Sequence, residues 1–217
     1  MIDLVLARAA MAERLDGIGF PASIVAAMAS MPRHAFVPLP LWRLAYAETD
    51  LWLGMAWLAA PIVIARTLAA LAVRPGQRVL ELGTGCGYQT ALLAALGAEV
   101  FTVESLGGYD LSGGALAPMR KIHRSLGGDA SVWREHAPFD AIVVNAALDN
   151  VPARLTEQLA SDGGRLVAIM GARLTVLRMS GKSESRQDAG VVPPRGEPVI
   201  PSSLGTSQPL EGQPTEP

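Results

Sequence analysis

The sequence predicts one α/β domain: a mostly parallel sheet flanked by helices, with a helical extension at the N-terminus. Three observations predict it. Short apolar runs of strand length alternate with helical patterns from Arg78 to about Met179. The first of these runs ends in a glycine-rich turn that leads directly into a helix. Half of the 217 residues are apolar and 18% are charged, which is enough to cover both faces of a buried sheet and excludes global disorder.

The elements follow in order. Ile2, Val5, Leu6, Ala9 and Ala10 recur at helical spacing until Gly17 and Gly19. Pro21 suits the start of a second helix, with Ile24, Val25 and Met28 on one face. Met31 to Pro40 (MPRHAFVPLP) is too rich in proline to be regular. Leu51 to Ala65 carries no charge, but fifteen residues interrupted by Gly54 and Pro61 fall short of the roughly 18–20 that a spanning helix needs. We read the stretch as a buried loop entering a helix from Pro61 to about Leu71, closed by Arg74-Pro75-Gly76. Strands are then expected at Arg78–Leu82, Glu99–Val103, Phe139–Val144, Arg165–Met170 and Leu174–Met179, with helices at Tyr88–Leu96 and Pro152–Ala160. Six glycines between 107 and 128 leave room there only for a short helix. Apolar content falls after residue 180, and disorder is expected from about 184.

Composition narrows the partners. A formal charge of −2 lacks the basic footprint of a nucleic-acid binder. The N-terminal seventeen residues mix acids and arginines and lack the pattern of a signal peptide. A lone cysteine, Cys86, allows no intrachain disulfide and fits a reducing, cytoplasmic setting. No metal site and no membrane association are expected.

The most informative residues stand where the first strand ends: Glu81-Leu82-Gly83-Thr84-Gly85-Cys86-Gly87-Tyr88. Ligands of open parallel sheets sit beyond the carboxyl ends of the strands. A dinucleotide site requires G-x-G-x-x-G, whereas here the glycines run G-x-G-x-G and Tyr88 holds the place of the third. Glu81, two residues before the first glycine, is awkward beside a pyrophosphate and useful beside an ammonium group. The pattern therefore favours S-adenosyl-L-methionine, which has an amino-acid end and no phosphate, over NAD. Glu104 lies twenty-three residues after Glu81, at the end of the second strand, where an acid accepts two ribose hydroxyls. Asp129 and Ala130 precede an irregular stretch, where an acid is either the partner of an adenine amino group or a plain loop residue. The expected cofactor residues are thus Glu81, Gly83, Thr84, Gly85, Gly87, Glu104, Asp129 and Ala130, on a Rossmann-like core of the class I methyltransferase type.

One family is then recognisable. Met31-Pro32-Arg33-His34-Ala35-Phe36-Val37-Pro38, Ala45-Tyr46, the run Val79 to Ala91 with its Gly87-Tyr88-Gln89-Thr90-Ala91 extension, Ala137 to Val144, Ala146-Ala147 and Gly163 to Val167 resemble protein-L-isoaspartate O-methyltransferases. The resemblance covers roughly residues 20–175 and rests most specifically on the RHxFVP and GYQTA elements. It implies methyl esterification of the abnormal α-carboxylate of L-isoaspartyl residues in a protein or peptide substrate, the opening step of repair through a succinimide. It also divides the chain into an N-terminal helical and substrate-loop region (1–75), a cofactor-binding core (76–180) and a tail (181–217).

The sequence departs from the family at one place. Where the family carries a stretch like P-L-P-I-G-x-G-Q-T-I-S-x-P, this chain has Leu51-Trp52-Leu53-Gly54-Met55-Ala56-Trp57-Leu58-Ala59-Ala60-Pro61, with no hydroxyl. Gly54 and Trp57 are its candidate substrate residues. Three readings stay open: an O-methyltransferase of the isoaspartyl type, a relative retargeted to another and more hydrophobic acceptor, and a cofactor-binding pseudoenzyme. The lost hydroxyls predict slow isoaspartyl turnover. No catalytic residue is assigned, because an ionised carboxylate needs no general base; His34 and His123 are read as structural.

Overall fold

The computed structural model describes residues 3–104 and 114–192. The chain begins with α1 (Leu4–Ile18) and α2 (Ala22–Ser30), whose buried faces carry Met11, Leu15, Ile24 and Met28. Asp3 caps α1 by accepting from the amides of Val5 and Leu6, and Gly19 ends it in the left-handed region at φ 93°. Two 3₁₀ turns, Arg33–Phe36 and Leu39–Leu44, occupy the proline-rich stretch.

The uncharged segment, expected as a buried loop, forms a hairpin. Strands β1 (Leu51–Trp52) and β2 (Trp57–Leu58) pair antiparallel in register Leu51↔Leu58 and Trp52↔Trp57. Leu51 and Leu58 are buried, and the two indole rings pack cross-strand with centroids 5.2 Å apart. Gly54 supplies the turn at φ 91°. Helix α3 (Pro61–Leu71) follows with Pro61 in its first turn.

The main sheet contains β3 (Arg78–Leu82), β4 (Glu99–Glu104), β5 (Ile122–Leu126), β6 (Ala141–Leu148), β7 (Asp162–Met170), β8 (Arg173–Ser180) and β9 (Ser183–Val191). Their spatial order is β5-β4-β3-β6-β7-β8-β9. The first five are parallel; β8 and β9 run antiparallel. Helix α4 (Tyr88–Ala95) joins β3 to β4, and α5 (Ala153–Thr156) lies between β6 and β7. Successive residues of the central strands face opposite cores. Val79, Val143 and Val167 pack with the helices α1 to α4, while Leu80, Ile142 and Leu166 pack with Phe101, Phe139 and Leu155 on the other side. Burial on both faces is why these strands read as continuous apolar runs.

Four expectations are corrected. The helix expected at Pro152–Ala160 has four residues, because the chain beyond it bridges back to Phe139: the Phe139 amide donates to Gln158 O and the Ala160 amide to Phe139 O. Phe139 consequently stands outside β6. Strand β5 was not anticipated; as an edge strand with a half-buried surface it shows no apolar run. Disorder from residue 184 is wrong through Val191, since β9 pairs along β8 across the Gly181 turn. The Arg173–Asp188 ion pair and Arg66 Nη1, 3.0 Å from Val191 O, hold that strand while its side chains stay exposed, so it leaves no hydrophobic signature. The remainder of the expected tail, 193–217, and glycines 107, 108 and 113 lie outside the described residues. No described helix is long and apolar enough to cross a membrane.

Candidate cofactor and acceptor site

Because β4 and β5 lie on one side of β3 and β6 on the other, the chain reverses direction between β3 and β6. Loops beyond the carboxyl ends of these two strands splay apart and leave a crevice. The glycine loop fills one side of it. Gly83, Gly85 and Gly87 have φ of 90°, 53° and 82°, a region that L side chains rarely adopt. The Gly83 amide donates to Val103 O, and the Gly87 amide to Thr84 O. A Cβ on Gly85 would stand in open space, whereas one on Gly83 would meet Asn145 Cβ at 3.3 Å.

Beneath the loop lies a buried polar knot. Glu81 is fully buried, and its carboxylate accepts from Thr90 Oγ1, Thr102 Oγ1 (2.9 Å), Gln89 Nε2 (3.0 Å) and Asn145 Nδ2 (3.1 Å). Burial pushes the Glu81 carboxyl above its ordinary value; the four donors pull in the opposite direction. Asn145 Nδ2 also donates to Gly83 O at 2.8 Å, and its Oδ1 accepts from Gln89. Glu81 thus braces the loop through Gln89 and Asn145 and lines neither cavity described below, an indirect placement in contrast to the ammonium contact expected of it. Thr84, also buried, shares a 2.6 Å hydrogen bond with Thr102.

Glu104 ends β4 with its carboxylate at the loop, where Oε2 accepts from the Gly85 amide at 2.7 Å. It lines a cavity of about 370 Å³, together with Leu82, Gly83, Gly85, Asn145 and the hairpin residues Met55 and Trp57. That volume lies in the range of small-ligand sites. A narrower cavity of about 70 Å³ continues below Trp57 towards Thr67, Cys86, Tyr88 and Gln89. Trp57 lines both cavities, and Gly54 turns the hairpin that carries it. Burial pushes the Cys86 thiol up, so it is no activated nucleophile.

Asp129 and Ala130 stand apart from the cavities. Asp129 Oδ1 accepts from the Ser131 amide and hydroxyl, and Oδ2 from Arg154 at 3.1 Å. The Ser131 hydroxyl, then its amide, and Arg154 hold the Asp129 carboxyl below its ordinary value. Ala130 is buried in the core on the Phe101 side.

The proline-rich motif supports the hairpin from behind. Arg33 is fully buried, donates to Ala59 O at 2.7 Å and lies 5.1 Å from the centre of the Tyr88 ring. Desolvation lowers its pKa. Asp50 and Glu48 accept from the Ala60 and Ile62 amides at the start of α3. His34 Nδ1 meets the Tyr46 hydroxyl at 2.7 Å, and burial lowers its pKa. His123 lies against Glu99 at the amino end of β4, away from the crevice. Arg66, one conceivable cationic partner for an acceptor, is committed to Val191 O. Among the described residues no group of three or more His, Cys, Asp and Glu stands ready for a metal ion.

Sequence reasoning missed Asn145 and the burial of Arg33. Asn145 directly follows the apolar run of β6 beside the glycine loop, a position that the strand order alone marks as functional.

A family profile described as protein-L-isoaspartate(D-aspartate) O-methyltransferase (PCMT) matches residues 8–192. The chain belongs to this family. A protein-L-isoaspartate O-methyltransferase of Gloeobacter violaceus is 40% identical over 195 residues, covering 87% of this chain and 93% of the relative. One from Stenotrophomonas maltophilia is 48% identical over 159 residues, 69% of this chain and 67% of the relative. In fold, the chain resembles a Plasmodium falciparum protein described as a putative family member in complex with S-adenosyl-L-homocysteine. The TM-score is 0.68 at 20% identity, over 85% of this chain and 96% of that one.

Proposed function

We propose that this chain transfers the methyl group of S-adenosyl-L-methionine to a carboxylate of a protein or peptide, and that the carboxylate is the α-carboxylate of an L-isoaspartyl residue. The observation that carries the reading is the crevice between β3 and β6. It is lined by two glycines of positive φ, Gly83 and Gly85, and by Glu104, in a chain 40% identical to a named isoaspartate methyltransferase.

The residues fit the cofactor. The open space at Gly85 admits a ligand against the backbone, and Glu104 offers a carboxylate for ribose hydroxyls. Gly83, Thr84 and Gly87 shape the loop, and Glu81 braces it. When bound, the cofactor supplies a methyl group already activated on a sulfonium. The chemistry it would supply is transfer of that methyl from sulfur to an ionised carboxylate oxygen, with no proton to remove. The carboxylate is ionised near pH 7 (unperturbed pKa about 4), so the site needs no general base. What the protein contributes is alignment and exclusion of water. The hairpin carrying Gly54 and Trp57 closes the acceptor side. The lone free thiol, Cys86, fits a reducing compartment such as the cytoplasm.

The test is transfer of labelled methyl to an isoaspartyl peptide beside its aspartyl control. Label in the first alone supports the reading. Cofactor binding without transfer to either peptide would replace it with the pseudoenzyme reading. Transfer only to another acceptor would favour the retargeted one, which the hydroxyl-free hairpin supports.

A further inference from the structure

The acceptor side of the larger cavity differs in chemistry from the cofactor side. Met55, Ala56 and Trp57 form one wall, Ala146 and Ala147 another. Met55, at the hairpin tip, is 42% exposed. Neither cavity is lined by a described lysine, arginine or histidine. The nearby cations are spent elsewhere: Arg33 is fully buried behind Ala59, and Arg66 is held by Val191 O. Three carboxylates stand nearby, each with partners: Glu104 in the cavity accepts from the Gly85 amide, and at the base of the hairpin Asp50 accepts from the Ala60 amide while Glu48 accepts from the Ile62 amide and pairs with Arg14.

We propose that the hairpin selects acceptors by their neighbours: the residue beside the methylated carboxylate is apolar and packs on Trp57 and Met55. This rests on the carboxylate methylation proposed above. A side chain leaving water for that wall gains from contact with an indole face and a thioether. An acidic neighbour finds no lysine, arginine or histidine in the lining, gives up the apolar contact and shares the cavity with Glu104. A lysine neighbour gives up the apolar contact and could recover only a solvent-exposed ion pair.

The experiment uses the full chain and three synthetic isoaspartyl peptides that differ only in flanking residues: leucine, lysine or glutamate. Two quantities are read. One is kcat/KM with S-adenosyl-L-methionine; the other is peptide affinity measured calorimetrically with S-adenosyl-L-homocysteine present. The leucine peptide is expected to lead the glutamate peptide by roughly ten-fold, the yield of burying about half a leucine side chain, with lysine between them. Trp57→Ala should shrink that lead to under about three-fold. Met55→Lys, placed on the exposed tip where folding tolerates it, should raise the glutamate peptide about ten-fold relative to the leucine peptide. Equal values for all three peptides, or a ranking untouched by Met55→Lys, overturn the inference. A lysine peptide in the lead overturns it in favour of recognition by Glu48 and Asp50. If peptides bind in the expected order and none is methylated, the inference stands and the proposed reaction falls; if no peptide binds or reacts, both fall.

Discussion

Glu81→Leu removes the acceptor on which the floor of the glycine loop converges. Without the carboxylate, Thr102 keeps Thr84, Gln89 Nε2 keeps Asn145 Oδ1, and Asn145 Nδ2 keeps Gly83 O. The Thr90 hydroxyl and one amide hydrogen on Gln89 are left buried without a partner, while the exposed Asn145 turns its freed amide hydrogen to water. Each orphaned donor costs about 1–3 kcal/mol. Relief of burying the carboxyl itself offsets part of the sum, leaving a loss of about 3 kcal/mol. For a chain of this size that corresponds to a fall in Tm of about 6–12 °C. Glu81→Gln behaves differently. Its carbonyl oxygen still accepts from Gln89 and Asn145, and its amide donates to threonine hydroxyls that rotate to receive it. The expected loss there is about 1 kcal/mol. The pair of substitutions also tests the titration. The native Glu81 carboxyl, raised by burial, keeps its proton where the unfolded chain has released it. Its stabilisation is therefore full below the ordinary carboxylate range and is lost as pH rises through the raised value, a slope that Glu81→Gln removes. Thermal denaturation across pH, with calorimetry of cofactor binding, reads all of this. If the leucine variant melts within about 2 °C of the parent, or if both variants melt alike, the reasoning is refuted.

Three further outcomes are expected. Gly85→Val abolishes cofactor binding in calorimetry, because a branched side chain at φ 53° is strained and fills the open space beside the loop; equal binding by the variant would sink the assignment. Glu104→Gln weakens cofactor binding roughly ten- to a hundredfold at unchanged Tm, the worth of one charge-assisted contact, and an unaltered Kd would leave Glu104 as a cap on the Gly85 amide. Turnover of an isoaspartyl peptide with polar neighbours stays below roughly 1 per second; a faster rate would show that the missing hydroxyls of the hairpin do not matter.

What the sequence reveals follows from what the structure buries. Val79-Leu80, Ile142-Val143 and Leu166-Val167 face two cores, so their strands announce themselves as apolar runs. The glycine loop is legible because its dihedrals admit few other residues. Strands β5 and β9 are edges held by main-chain ladders and surface ion pairs, and neither constraint writes a hydrophobic period into the chain. The same limit applies at the site. Glu81 and Glu104 are legible from their spacing to the glycines, yet which of them faces the cavity depends on Thr90, Thr102 and Asn145, brought together from three separate strands and helices. Spacing along one strand cannot encode that convergence.

The hairpin shows how one fold separates cofactor chemistry from acceptor choice. The cofactor side is set by elements with long ladders, β3, β4 and β6, braced by a buried carboxylate that four neighbours hold in place. The acceptor side is carried by two strands of two residues each, attached at their base through Arg33 on Ala59 O and Asp50 on the Ala60 amide. Those anchors hold the main chain at Ala59 and Ala60, outside the cavity-facing residues Met55, Ala56 and Trp57. Substitution there changes what the cavity presents without touching the loop or Glu104. A carboxylate acceptor brought into this cavity gives up strong hydration, and replacement donors must come from backbone amides, Asn145 or the acceptor's own peptide groups. An acceptor that brings apolar surface with it recovers on Trp57 and Met55 what it loses in polar pairing. The hydroxyl-free hairpin therefore shifts recognition from the carboxylate itself to its neighbours while leaving the methyl transfer unchanged.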